Sequence, residues 1–477
     1  EYIKRVREEG IGGAGENTVF EILLGPGIYK PSVRRMDAAT TILDQRQNSF
    51  VLPKNVKIYG GFSGEENYAT GINRIPAASG DIELSSDGDI QNMLNARGYS
   101  DLNGNSVLEP WELSYHAILS GELDVSVSTK HVYHVVYSSG EGDITFDGLT
   151  IMNGETSSEL SQSAETDEIG RGGAIYSNGM NYTLHRCRLM HNKAVRGGGM
   201  YMRNANATLI GCVVAGNGPV EDFAQPENMR GGGIYIAGNV GTNSKPAALY
   251  AVNTLFANNE TSGSGGAVAG NAASVINLMN CNLVRNKAKS YGAAYSMATP
   301  NNVITNTVIW GNEDEGTQAV INDPGAAITY SASEWLATDK NAPNIRLNTD
   351  NQAVDGPRFK KPSEVAGVSG NSSSLMWNSA ALSVLADVGN GTYAYDTKTE
   401  LGAYKEWFEQ FAPDYQGQYM KDLLRYAAPL NEEGQVPNEM VIDIGLFEYP
   451  HPVNLSNLDA VYVATEDAGL ANGTSWA

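Results

Sequence analysis

The sequence predicts an all-β chain wound as a right-handed parallel β-helix, and three observations carry that expectation. Two short patterns alternate through the middle of the chain; glycine supplies 53 of 477 residues; only 18% of residues are charged against 41% apolar. That balance suits many short strands joined by tight turns rather than long amphipathic helices.

The first pattern reads GGAIY from Gly172, GGGMY from Gly197, GGGIY from Gly231, GGAVA from Gly265 and YGAAY from Tyr291, in steps of 25, 34, 34 and 26 residues. Between these runs the second pattern: CRLMHN from Cys187, CVVAGN from Cys212, TLFANN from Thr254, CNLVRN from Cys281 and TVIWGN from Thr307. Strands this short cannot stand alone. They must stack on their equivalents in neighbouring repeats to pair their backbones and bury a face, which makes a solenoid of β-coils. Propeller blades need longer strands and leucine-rich repeats need a regular Leu lattice, so both fit worse.

Stacking accounts for the repeated residue types without invoking function. Asn192, Asn217, Asn259, Asn286 and Asn312 end the second pattern, where Asn tolerates left-handed backbone and its amide can bond the next Asn in a ladder. Cys187, Cys212 and Cys281 share a register with Thr254 and Thr307 and read as a column of small inward side chains. Equivalent positions on adjacent coils lie about 4.8 Å apart, so a Cys187–Cys212 disulfide is a second reading of that pair.

Composition also excludes partners. A formal net charge of −22 argues against nucleic acid, because phosphate binding needs clustered Lys and Arg. An acidic surface suits cations or neutral sugars better. No apolar run approaches the roughly 20 residues of a membrane-spanning helix.

Several stretches together resemble one family. ILLGPGIYKPS near the start, FVLPKNVKIYGGFSGEE from Phe50, HVYHVV from His131, FDGLTIMNG from Phe146, NIRLNTDNQAVDGPRFKKPSE from Asn344 and IDIGLFEYP from Ile442 are similar, in that order, to the Bacteroidetes surface β-helix proteins. Those proteins are related to the chlamydial polymorphic outer-membrane proteins and often bear a variable C-terminal anchor. The resemblance covers nearly the whole chain and implies export, display on the outer surface of a Gram-negative bacterium, and an adhesin-like or glycan-directed role toward a carbohydrate or host-surface ligand. It implies no catalytic residues. VYVATEDAGLANGTSWA, from Val461 to Ala477, resembles the opening of such a unit, and EYIKRVREEG reads as the helix that follows such an opening. The expectation is one unit of a longer tandem protein, with further repeat units of the same polypeptide as neighbours.

The organisation read on this basis has five parts. Residues 1–64 form the N-terminal helix and first coils, and 65–130 an insertion. The regular coils run over 131–312, irregular coils and a C-terminal cap over 313–450, and a linker with the start of a following unit over 451–477. Within the cap, TELGAYKEWFEQFAPDYQGQYMKDLLRYAAP has the apolar spacing of one or two helices closing an open solenoid end.

Inside the insertion, DLNGNSVLEPWE places Asp101, Asn103, Asn105, Val107, Glu109 and Glu112 at positions 1, 3, 5, 7, 9 and 12 of a calcium loop. Hard calcium takes oxygen ligands at that spacing, with a bidentate Glu last. Ser106 departs from the pattern, since the sixth position is normally Gly to allow positive φ. A structural calcium ion is the expected cofactor, and an ordinary polar turn is the alternative.

Two further columns bear on ligands. Strand alternation separates apolar Ile175, Met200, Ile234, Val268 and Ala294 from Tyr176, Tyr201, Tyr235 and Tyr295, whose rings form a stripe on the other face. The stripe reads either as solenoid packing or as a sugar-stacking surface. Arg171, Arg196 and Arg230 precede the glycine pairs in one register, beside loops carrying Glu165, Asp167, Glu168, Glu221, Asp222 and Glu227. Surface ion pairs and an anionic-sugar clamp are both open there.

Some parallel β-helices cleave polysaccharides with carboxylates on neighbouring coils. In the regular strands here the corresponding positions hold Ala, Asn, Val, Leu and Gly, and the six His are scattered without an HExxH or nucleophile motif. Sugar binding without cleavage is therefore expected, with a polysaccharide lyase or glycoside hydrolase using loop acids as the alternative.

Overall fold

The computed structural model describes residues 2–32, 45–62, 115–123, 131–157, 168–239, 246–297, 302–315, 320–323, 325–336 and 344–350, with a few isolated positions beyond. The calcium-loop stretch, the proposed cap helices and the 451–477 tail lie outside the described residues. After a short helix, Tyr2–Glu8, the described residues are almost wholly strands, turns and bends. Every strand pair but one is parallel, and the exception joins Gly389–Asn390 to Val441–Ile442. Parallel coils connected in sequence order make a β-helix, in the right-handed sense that twisted strands impose on such crossovers.

Each regular coil contributes three strands rather than two. The glycine pattern leads into strands such as Met200–Arg203 and Ile234–Ala237, and the second pattern supplies Arg188–Met190, Val213–Ala215 and Leu255–Ala257. Between them lies a strand that the repeat patterns do not mark: Asn206–Ile210, Ala247–Val252, Ser274–Met279 and Val303–Thr305 on successive coils. Two long strands, Val136–Asp147 and Ile175–His185, run through the first and third of these positions without a break. Ala117–Ser120, in the stretch assigned to the insertion, is a strand of the second sheet, paired with Gly27–Tyr29 and Leu149–Met152.

Inward columns fill the core. Leu184, Leu209, Ala251, Leu278 and Ile304 stack in register, as do Leu189, Val214, Phe256, Leu283 and Ile309, and all are buried. Side chains alternate across a strand, so one apolar residue in two suffices for this face.

The five Asn form the expected column. Each Nδ2 donates to the Oδ1 of the next: Asn192 to Asn217 at 3.0 Å, Asn217 to Asn259 at 3.0 Å, Asn259 to Asn286 at 3.0 Å and Asn286 to Asn312 at 2.9 Å. The same oxygens accept the backbone N–H of the preceding coil's Asn, and each Nδ2 also reaches a strand carbonyl, as Asn259 does to Val214. Backbone conformation is not the reason for Asn. The left-handed residue is the one before it: His191, Gly216, Asn258, Arg285 and Gly311. What selects Asn is a buried amide able to donate and accept at once.

The cysteine column is a second ladder rather than inert filling. The Cys187 N–H donates to Cys212 Sγ at 3.4 Å, Cys212 N–H to Thr254 Oγ1 at 3.4 Å, Cys281 N–H to Thr307 Oγ1 at 3.3 Å and Thr307 N–H to Ser331 Oγ at 3.1 Å. Each side chain in turn donates to the carbonyl two residues back, as Thr254 does to Val252. All three cysteines are free thiols, so the disulfide reading of Cys187 and Cys212 does not hold.

Candidate functional site

The tyrosine column is real and begins one coil earlier than the glycine pattern. Tyr137, Tyr176, Tyr201 and Tyr235 stand in register. Their rings stack at centroid separations of 5.2, 5.6 and 5.7 Å with interplanar angles of 3, 8 and 12°, close to the offset-parallel geometry aromatic rings favour. His134 packs against the first two rings and meets the Gly172 carbonyl through Nδ1 at 3.0 Å.

Tyr295 does not belong to this column. Val268 pairs with Tyr295 and Ala269 with Ser296, which puts Tyr295 in the inward column of Ile175, Met200 and Ile234, where it is fully buried and donates to Asp323 Oδ2 at 3.2 Å. Ala294 is correspondingly displaced from that apolar column. The reason lies in the turn. The first glycine of each pair, Gly172, Gly197, Gly231 and Gly265, has positive φ, and a Cβ on Gly172 would strike the Ile175 carbonyl. YGAAY has one glycine, and Gly292, with φ 69°, takes that first position. Everything after it shifts by one residue.

The rings offer no open stacking platform. Tyr176 is 1% exposed, Tyr201 2% and Tyr235 8%. Their faces are occupied by one another and by the arginines of the preceding turn. Arg171, Arg196 and Arg230 share a register through successive parallel bridges. The Arg171 guanidinium lies 5.3 Å from the Tyr201 ring centre and donates to its hydroxyl at 3.3 Å; Arg196 lies 5.8 Å from the Tyr235 ring centre, both within cation–π reach. Arg230 donates to the carbonyls of Glu227 and Met229. The flanking acids engage elsewhere: Glu168 accepts from the Tyr137 hydroxyl at 3.2 Å and Glu221 pairs with Lys193 at 3.7 Å. Glu165 and Asp167 lie outside the described residues. Burial raises the hydroxyl pKa of Tyr176 and of Tyr235, so both rings are neutral phenols at physiological pH.

Where the ring column ends, a recess opens. Past Tyr235 the next residues in register are Ala269 and Ser296. The recess beside Tyr235 is lined by Arg196, Arg203, Tyr201, Asn239 and Asn271, with Ala237 and Gly238. Arg203 shares a face with Tyr201 through strand alternation, and its partner on the next coil is Ala237. No single repeat marks this group, because it draws on three successive coils.

Other polar clusters have structural explanations. Asp147 accepts from Arg186 Nε at 2.9 Å and Nη2 at 2.7 Å, with His185 Nδ1 3.4 Å away, and all three are buried. They close the corner where two long strands turn, with Arg186 at φ 54°. Burial pushes the thiols of Cys212 and Cys281 up to about 12 and that of Cys187 well above its ordinary value, so none supplies a thiolate nucleophile. Among the described residues no group of three or more His, Cys, Asp or Glu is placed to hold a metal, and no helix is long and apolar enough to cross a membrane.

No family model matches the chain, and no curated protein does. Among solved structures, the chain is similar to tailspike protein gp49 from Acinetobacter baumannii bacteriophage Fri1, a capsular polysaccharide depolymerase. The identity is 13%, the likeness covers 65% of this chain and 56% of that one, and the TM-score is 0.22. The fold assignment here rests on the strand registers themselves.

Proposed function

We propose that this β-helix is a carbohydrate-binding protein displayed outside the cell, adhesin-like in holding an extended glycan without cutting it. The observation that carries the reading is the recess at the end of the ring column, where two guanidiniums, a carboxamide and the rim of Tyr235 meet on a rigid sheet. A few converging polar groups on a preformed concave surface are the usual basis of small-ligand recognition. The coil stack supplies the length: equivalent positions repeat about every 4.8 Å along its axis, and turns leaving the coils add local specificity.

A glycan array followed by calorimetry on the whole chain tests this, with a reducing-sugar assay on the same polysaccharides. Retention of a glycan without release of reducing ends is expected. Release would replace binding with depolymerisation, and failure to retain any glycan would end the reading. The expectation that Tyr176, Tyr201 and Tyr235 contact sugar directly is replaced: with rings this buried, changing all three to Ala damages the fold before it reports on binding. A structural calcium ion at Asp101, Asn103, Asn105, Val107, Glu109 and Glu112 is part of the same proposal. Calcium titration of the unmodified chain against Glu112→Gln checks it, and no binding heat in the unmodified chain removes it.

A further inference from the structure

We infer that the recess beside Tyr235 selects an acidic sugar unit, its ring carboxylate held between Arg196 and Arg203. The inference rests on the carbohydrate-binding reading and sharpens it to a substrate class.

The overall charge points the other way, and distance decides between the two. A net charge of −22 favours neutral ligands on average, yet at physiological ionic strength exposed charges farther away than about 8 Å are largely screened. Within that range the recess is cationic. Its described lining contains Arg196 and Arg203 and no carboxylate. Three guanidiniums, those of Arg196, Arg230 and Arg171, act on the Tyr235 hydroxyl in the direction that favours an anion there. Tyr176, two coils back, feels Glu168 as well, so the cationic character strengthens toward the open end of the column.

The residue types fit a carboxylate in particular. A guanidinium presents a planar fork of donors that matches two carboxylate oxygens, which an ammonium group cannot do. The stacked rings leave no face for a sugar, so apolar stacking cannot supply the recognition and polar contact must. The wall is held firm: Asn271 donates to the Gly238 carbonyl at 2.7 Å and accepts from the N–H groups of Gly238 and Ala273 at 3.1 Å each. Its amide is committed to the scaffold, and the ligand-facing chemistry falls to Arg196, Arg203 and Asn239. Because the surrounding surface is acidic, a run of consecutive charges is disfavoured, and the preferred polymer places single acidic units between neutral ones.

The test uses the whole chain and a hexasaccharide carrying one internal uronate, compared by calorimetry with its carboxyl-reduced form and with a polyuronate of the same length. The uronate-bearing hexasaccharide is expected to bind about tenfold or more tighter than its reduced form, a gap that narrows as salt is raised. Arg203→Gln and Arg196→Gln should each collapse the preference while the melting temperature holds, and Arg203→Lys should restore only part of it. Equal affinity for acidic and reduced forms overturns the acidic selection and leaves carbohydrate binding standing. Tighter binding of the polyuronate overturns the preference for isolated charges. No binding of any of the three, together with an empty glycan array, overturns both readings. The ligand comparison requires no variant, so it decides the matter even if an arginine substitution unfolds the chain.

Discussion

The asparagine ladder and the tyrosine column run along the same coils but end in different places. The ladder continues through Asn259, Asn286 and Asn312, while the rings stop at Tyr235 and give way to Ala269 and Ser296. Parallel pairing proceeds unchanged past that point. Coils therefore form without the rings. Every coil turns a corner that buries backbone N–H groups, and the amide that satisfies them recurs with the coil. The rings sit on the outer side of the sheet, where packing is local, and their distribution follows something other than coil geometry. The recess at their end is the clearest local consequence.

Substitutions in each column sharpen this contrast. Asn259→Ala removes an amide that donates to Val214 and Asn286 and accepts twice from Asn217; a loss of about 4 kcal/mol is expected, read as a fall in the urea midpoint. Tyr201→Ala should cost about 3 kcal/mol through the cavity it leaves between two stacked rings, and hydrogen exchange should rise around Tyr176 and Tyr235 while the Asn corners stay protected. Equal loss of protection in both places would mean the two columns are one cooperative unit. Cys212→Ala should cost about 1 kcal/mol by leaving the Cys187 N–H without its acceptor, and Cys212→Thr should recover it, since Thr254 and Thr307 already fill that role.

The smallest effect concerns pH at the far end of the coils. Burial lifts the Glu334 carboxyl to about 7, against the pull of the Gly311 N–H that it accepts. A carboxyl raised in the folded state binds its proton there at pH values where the unfolded chain has released it. Its contribution is therefore present near pH 5 and lost as pH rises through about 7. Melting temperatures of the unmodified chain and Glu334→Gln should converge at low pH and separate at pH 8, with the Gln variant the more stable.

The sequence displayed what recurs with a fixed chemistry. The Asn corners, the glycine turns, the arginine register and the stacked Tyr176, Tyr201 and Tyr235 were all legible, because one residue type returns at each coil. Three things were not. The middle strand reads NATLI, AALYAV and SVINLM on successive coils, with nothing shared but alternation. Tyr137 lacks the glycine pair that announces its successors, though Val136–Tyr137 matches Ile175–Tyr176 in kind. Tyr295 was placed one residue off because a lone glycine must occupy the positive-φ position, a rule that YGAAY states once the turn is known. The recess is assembled from residues on three coils, and no linear pattern gathers them.

The ladder has a direction. Each amide hands its N–H toward the later coil and its oxygen toward the earlier one, so five small dipoles add along the axis instead of cancelling as they do between paired strands. Each bond polarises the next, which makes an interior amide worth more than a terminal one and gives the stack a preferred sense of growth: a coil added after Asn312 meets an aligned row of amides already polarised toward it.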